Sequence, residues 1–492
     1  MSITTIRSNQ GHTVEKIGGT SMSDYAAVLT NIVLRGQPRE ALNEIELYQR
    51  IFVVSAYGGF TDRLLEHKKN GRPGVFGFFA ESSDDTAWRT ALDETKQAML
   101  AKNAELFGVA ANRSQADDFI RNRVDDAYRV LDDLHRVCQH GHFAVENQLR
   151  TVREMLASLG EAHSAWNTAA LLRQEGINAE FVDLSGWQGG EAPELDDRIR
   201  RALEGVDLSN TLPIVTGYAH CDNGLMQTFD RGYSEMTFSR IAVVTGAAEA
   251  VIHKEYHLSS ADPRMVGETK VVPIGRTNYD VADQLANLGM EAIHPRAAIG
   301  LRRANIPLRV KNTFEPNHKG TLITRDYVSE QPCVEIIAGH QDLHAIQIFD
   351  QDMVANNHQY DQEFLQVMRE QRVESVTRCV NANTIVHYVS ASLKKVKRIM
   401  RSLEQRFEEA EVSHQPVALV AAIGSDMEVA GMLAQAVGSL ADAGISVLGM
   451  HQSMRQVDMQ FVVNQADYEA AVRALHQSLI EPHEHGIAIC AA

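Results

Sequence analysis

Two short glycine turns carry the first chemical signal. Thr13–Ile17 alternates in polarity and runs into Gly18-Gly19-Thr20-Ser21, and a helix-like stretch follows from Tyr25 to Leu34. A strand, a glycine turn and a helix start, in that order, bring backbone N–H groups close to phosphate oxygens. Taken alone, such a Gly-Gly pair is an ordinary strand-to-helix turn. The second turn, Ala56-Tyr57-Gly58-Gly59-Phe60-Thr61-Asp62, follows the β-rich run Arg50–Ser55. No run of Gly, four residues and Gly-Lys-Ser/Thr occurs, which excludes a P-loop nucleotide site. His483-Glu484-His485 lacks metalloprotease spacing and reads as a solvated tail. The cysteines, Cys138, Cys221, Cys333, Cys379 and Cys490, are scattered without a Cys-x-x-Cys pair, which argues against a zinc ribbon or a disulfide framework. Met427, Met432, Met450, Met454 and Met459 read as gap-filling core.

The elements that must position these turns are those of an α/β protein. The 492 residues suggest about three domains, and 44% hydrophobic with 23% charged residues matches an average globular chain. The 47 basic and 64 acidic residues sum to −17, so no nucleic-acid footprint is expected. The N-terminus has no apolar signal region, and the most apolar stretch, Val417 to Met450, is broken by Asp426, Glu428 and Asp442. A cytoplasmic protein with no membrane partner is expected. Residues Ser83 to Gly160 read as helical, with further strands near Ala179–Leu184, Leu212–Thr216, Ala250–His253 and Leu308–Val310. From about Thr321–Cys333 the pattern changes to two copies of a β-α-β-β-α-β rhythm of about seventy residues each. The first has strands His344–Phe349, Ser375–Val380 and Thr384–Ser390, with helices Gln362–Arg372 and Leu393–Phe407. The second has strands Val417–Ile423, Ser446–His451 and Val457–Val463, with helices Glu428–Gly444 and Tyr468–Leu479.

Seven ordered motifs resemble those of the aspartate kinases, members of the amino-acid kinase superfamily. Lys16-Ile17-Gly18-Gly19-Thr20-Ser21 is similar to the family's Lys-Phe-Gly-Gly-Thr-Ser opening. Ser55 to Thr61 resembles its Ser-Ala-x-x-Gly-x-Thr turn, and Gly160-Glu161-Ala162-His163-Ser164 its Gly-Glu-x-x-Ser element. Asp230-Arg231-Gly232-Tyr233-Ser234-Glu235 stands where the family has Gly-Arg-Gly-Gly-Ser-Asp. Ala261-Asp262-Pro263-Arg264, Ile293-His294-Pro295-Arg296 and Lys311-Asn312-Thr313-Phe314 also fit. The C-terminal repeats are similar to the family's tandem ACT domains. Lys16-Ile17 and Arg231 to Thr237 look like the branch associated with synthesis of the osmolyte ectoine.

The resemblance implies a carbamate-kinase-like three-layer αβα domain over 1–325, followed by ferredoxin-like ACT domains over 334–412 and 413–492. It implies transfer of the ATP γ-phosphoryl group to the side-chain carboxylate of L-aspartate, giving 4-phospho-L-aspartate, with Mg²⁺ as cofactor and no metal ligands from protein side chains. The alternative is a non-catalytic amino-acid sensor on a degenerate kinase fold. An ionised carboxylate needs no general base, so catalysis reduces to positioning and charge stabilisation. Lys16 would then offset charge on the transferred group. Gly18, Gly19, Thr20, Ser21, His253, Lys254, Ser259 and Arg264 would hold ATP. Arg231, Gly232 and Ser234 would clamp the substrate carboxylate, Glu161 its ammonium, and Ser55 and Thr61 would add hydrogen bonds. Lys16, Arg231 and Glu161 form the expected catalytic set.

Several positions depart from the family. Glu291 replaces a common lysine, and Lys254 is the candidate to supply the missing charge. Glu235 replaces Asp, and Tyr233 in place of Gly narrows the same loop. In the second repeat, Ser453 to Phe461 lacks the usual small hydroxyls, Glu and Asn. Arg455, Gln456 and Asp458 are therefore candidate effector contacts with retuned lysine or threonine sensitivity. The ACT repeats imply a homodimer or homotetramer.

Overall fold

A computed structural model describes residues 11–68, 70–81, 86–108, 112–138, 146–187, 192–229, 232–290 and 292–482. They group into two units, one of residues 1–257 with 293–325, the other of 258–292 with 326–492.

Within the first unit the strands stand in the order Ala179–Val182, Leu212–Thr216, Arg50–Val54, Thr13–Ile17, Glu249–Lys254, Leu308–Asn312 and Thr321–Thr324. All neighbouring pairs are parallel except the last. Arg50–Val54 and Leu212–Thr216 are buried at every residue, as expected of parallel strands covered by helices on both faces. The expected helical stretch, Ser83 to Gly160, resolves into helices Thr86–Phe107, Asn112–Cys138 and Glu146–Gln174, preceded by a further helix, Val75–Glu81. The expected helix from Tyr25 to Leu34 is an α-turn, Tyr25–Ala27, followed by a π-helical stretch, Val28–Val33. The carbonyls of Ile32 and Val33 at its end accept from the buried Arg50 guanidinium, both at 2.8 Å.

The second unit holds both repeats in one antiparallel six-stranded sheet, ordered Ser375–Val380, Thr384–Val389, Ile336–Phe349, Glu411–Ile423, Asp458–Asn464 and Gly449–Gln452. Its two central strands are longer than expected. Glu411–Pro416 pairs with His344–Phe349 and closes the first repeat, while Ile336–Leu343 pairs with Val417–Ile423 and closes the second. The first repeat is thus closed by the chain that follows it, and the second by chain that precedes the first. Pro416 marks the change of role, beside a register shift that begins at Val417. Residues 258–292, which lie inside the expected 1–325 segment, pack with this unit. Val281, Leu285 and Leu288 from this segment cover the sheet face formed by Ile336, Ala338, Leu419 and Ala421.

Candidate active site

In the first unit, the carboxyl ends of the parallel strands gather the polar groups, the usual binding edge of an open α/β sheet. Lys16 is the last residue but one of its strand and only 8% exposed. Its ammonium pairs with Glu235 Oε1 at 3.1 Å, and Glu235 Oε2 accepts the His294 amide. Burial pushes the Glu235 carboxyl up, but Lys16, Lys254 and the His294 amide together hold it below its ordinary value. Two lysines from neighbouring strands therefore converge on one carboxylate.

The glycine turn follows directly. Gly18 N–H donates to the His253 carbonyl at 3.4 Å. A Cβ on Gly19 would come within 2.8 Å of the Ala56 carbonyl oxygen, so only glycine lets the two turns touch. The helix begins at Gly19 itself and lasts four residues, rather than starting after Ser21. The buried Ser21 turns its hydroxyl inward to Thr313 Oγ1 at 2.9 Å, and its carbonyl accepts the Asp24 amide.

The second turn is set by helix Glu146–Gln174. A Cβ on Gly160 would lie 2.8 Å from Ala56 Cβ, so the missing side chain brings helix and turn together. Ser164 Oγ donates to the Ser55 carbonyl at 2.8 Å, and the buried His163 ring packs edge-on against Tyr57 and Phe60. Ser55 Oγ reaches Ser234 Oγ at 3.5 Å. Thr61 is half-buried in the first turn of the next helix, Phe60–Leu64.

Glu161 is fully enclosed, at 1% exposure, and its Oε2 has no hydrogen-bond partner among the described residues. Burial pushes its carboxyl up to about 8, against the opposing pull of Lys16, the Tyr233 and Ser234 hydroxyls and the Tyr218 amide. A buried carboxyl oxygen without a hydrogen-bond partner costs free energy unless something binds it. A bound ammonium would answer that need.

Other expected residues are placed differently. The His253 ring faces inward and bonds Glu15 Oε2 at 2.7 Å, inside a buried network in which Arg50 grips the same carboxylate at 2.7 and 2.9 Å. That ring is committed to the core, contrary to its expected place beside ATP. Gly232 caps helix Tyr233–Thr245, where a Cβ would strike the His294 ring at 2.4 Å. Arg231 and Glu291 lie outside the described residues, as does the His483–His485 tail.

Ser259 and Arg264 belong to the second unit. There Ser259 Oγ donates to the Ala261 carbonyl at 3.0 Å, and the exposed Arg264 forks onto Asp262. Arg455 pairs with Asp280, Gln456 adopts a left-handed backbone at φ +49°, and buried Asp458 accepts from Gln460 at 2.7 Å. Sequence reasoning missed Glu15, Arg50, Glu154 and Tyr218. Among the described residues no three His, Cys, Asp or Glu side chains are grouped to hold a metal, and no helix is long and apolar enough to cross a membrane.

The sequence pattern of the amino acid kinase family matches residues 12–312, and that of the ACT domain matches 420–479. The aspartate kinase Ask_Ect of Stutzerimonas stutzeri (strain A1501) is 54% identical over 481 residues, spanning 98% of this chain and 100% of its own. Chloroplastic aspartokinase 1 of Arabidopsis thaliana is 23% identical, over 96% of this chain and 87% of its own. The solved structure of E. coli aspartokinase III in complex with aspartate and ADP (R-state) aligns with a TM-score of 0.69 at 19% identity, over 96% of this chain and 100% of that one.

Proposed function

The chain belongs to the amino acid kinase family, among its aspartate kinases, and we propose that it transfers the ATP γ-phosphoryl group to the side-chain carboxylate of L-aspartate. The product is 4-phospho-L-aspartate. One observation carries the reading: Lys16, in its ion pair with Glu235, and the enclosed Glu161, with an oxygen unpartnered among the described residues, lie in one cluster at the strand ends. A cation for phosphate and an anion for ammonium are what an amino-acid kinase must juxtapose. In the ectoine-associated reading, the product feeds synthesis of that osmolyte, in the cytoplasm.

The substrate carboxylate is already ionised at neutral pH, so no residue need remove a proton from it. Glu161 takes the α-ammonium. Ser55, Thr61, Gly232 and Ser234 orient the amino acid, with Arg231 as the fork for its α-carboxylate. Gly19, Thr20 and Ser21 offer backbone N–H groups to the phosphates, while Gly18, whose N–H is spent on the His253 carbonyl, shapes the turn beside them. Lys16 stabilises charge on the transferred group, and Glu235 holds it in place until the phosphates arrive. Lys254 supplies a second cation on the nucleotide side. No protein side chains among the described residues are grouped to hold Mg²⁺, so the nucleotide's phosphates would carry it, and when bound it would offset phosphate charge beside Lys16.

Residues 1–325 are the catalytic segment in this reading, with ACT repeats over 334–412 and 413–492. Arg455, Gln456 and Asp458 are its effector contacts. Assembly as a homodimer or homotetramer through these repeats is supported by the two edge strands of the six-stranded sheet, which expose Val380 and Met450. The test of activity is a hydroxylamine trap for acyl phosphate with Mg-ATP and L-aspartate. Wild type should give product, and Lys16→Ala should lose at least about a hundredfold, the scale of removing one transition-state donor. No product from wild type would overturn the reading.

A further inference from the structure

Glu154 lies two helical turns before Glu161 on the same helix, buried and fully engaged. Its Oε2 accepts from the Tyr218 hydroxyl at 2.8 Å and from the Met226 amide at 3.1 Å, and its Oε1 accepts from the Gln227 amide at 2.8 Å. These bonds hold both ends of the loop between strand Leu212–Thr216 and helix Leu225–Phe229. The Tyr218 ring meets the Tyr233 ring edge-on, with centroids 5.7 Å apart and planes at 72°. Both rings are buried, at 1% and 3% exposure. Beside them, a Cβ on Gly217 would approach Ser234 Cβ at 2.8 Å and Glu161 Oε2 at 3.1 Å, so the wall against the carboxylate is closely packed.

We propose that Glu154, Tyr218 and Tyr233 form a buried brace that fixes the orientation and charge state of Glu161, and thereby sets affinity for the substrate ammonium. This rests on Glu161 being the ammonium partner. Tyr233 and Tyr218 are positioning residues, acting through Glu161. The groups facing that carboxyl are Lys16 from the first strand, the Tyr233 and Ser234 hydroxyls from the helix Tyr233–Thr245, and the Tyr218 amide from the loop. Each favours the ionised form. Loosening the brace therefore leaves Glu161 protonated over a wider pH range, where it cannot pair with an ammonium.

The experiment is kcat/KM for aspartate from about pH 6 to 9, with KM for ATP as an internal control, on wild type, Tyr233→Phe, Tyr218→Phe and Glu161→Gln. Tyr233→Phe should move the inflection upward by about half a unit to one unit. It should lower the value threefold to tenfold at pH 7, roughly one protonation step, and rejoin wild type at the alkaline end. Tyr218→Phe keeps the ring but cuts the bond to Glu154, so it should move the inflection the same way by less. KM for ATP should stay within about twofold in both.

An unmoved inflection in both variants overturns the brace, as does an equal loss at every pH that also raises KM for ATP, the mark of general loosening. Glu161→Gln separates the two levels of the argument. If it leaves the aspartate dependence untouched, the ammonium reading itself fails. If it acts and the tyrosine variants do not, only the brace fails.

Discussion

Glu161 makes a quantitative demand on the enzyme's pH dependence. With its carboxyl at about 8 in the empty site, only about a tenth of the free protein carries the anion at pH 7, and about a hundredth at pH 6. A substrate ammonium pairs with the anion alone, so the protein must lose a proton as aspartate binds. The logarithm of kcat/KM for aspartate should therefore rise with a slope near one from about pH 6 and level off above about pH 8. Glu161→Gln removes the titration and the charge. Its profile should be flat, below the wild-type plateau by the roughly 1.5–3 kcal/mol of a charge-assisted hydrogen bond, about tenfold to 150-fold. The two curves should then approach one another near about pH 6. Stability should move the other way. A carboxyl titrating near 4.5 when unfolded and about 8 when folded holds extra protons in the folded state between those values, so it costs stability progressively as pH rises. The loss reaches at most about 5 kcal/mol. Glu161→Gln should thus be the more stable apoprotein at pH 8, with little difference at pH 4.5. A flat wild-type profile, or a glutamine variant that keeps the slope, would refute the reasoning.

Lys254→Ala should raise KM for ATP by about tenfold, the scale of one charged hydrogen bond to phosphate, while KM for aspartate stays put. An unchanged ATP dependence would remove Lys254 from the nucleotide site. Arg50→Ala should lower unfolding free energy by about 3–5 kcal/mol in urea titration, because Glu15 is left buried without its main partner. The Glu15 carboxyl is pushed up by burial but held well below its ordinary value by Arg50 and His253, so its contribution is present above about pH 4.5 and fades as pH falls. The deficit of Arg50→Ala should accordingly narrow in acid, and a deficit independent of pH would contradict the pairing.

Much of the catalytic unit was legible because its strands are short alternating or apolar runs between turn residues. Thr13–Ile17 and Leu212–Thr216 fall where the pattern puts them. The completion of the second repeat by the first half of a central strand was not, since Ile336 pairs with Ile423 and local periodicity carries no record of so distant a partner. The same limit hid Glu154 and Tyr218, whose roles arise only where a helix, a loop and a strand end converge.

His253 and Lys254 show how strand register decides which of two neighbouring residues reaches the site. Both stand at a strand end among expected ligand-binding residues, yet successive side chains on a strand point to opposite faces. The register pairs Ile17 with His253 and Lys16 with Ile252. Paired residues share a face, so His253 lies with Ile17 and hence with Glu15, while Lys254 lies with Ile252 and hence with Lys16. That parity alone sends the imidazole to the Glu15–Arg50 network and the ammonium towards Glu235, as the hydrogen bonds and the charge environment of Glu235 both record. A one-residue slip of this strand would exchange the two roles, burying a lysine against Arg50 and offering a histidine to the phosphates. The chemistry of the site thus depends on register as much as on residue type.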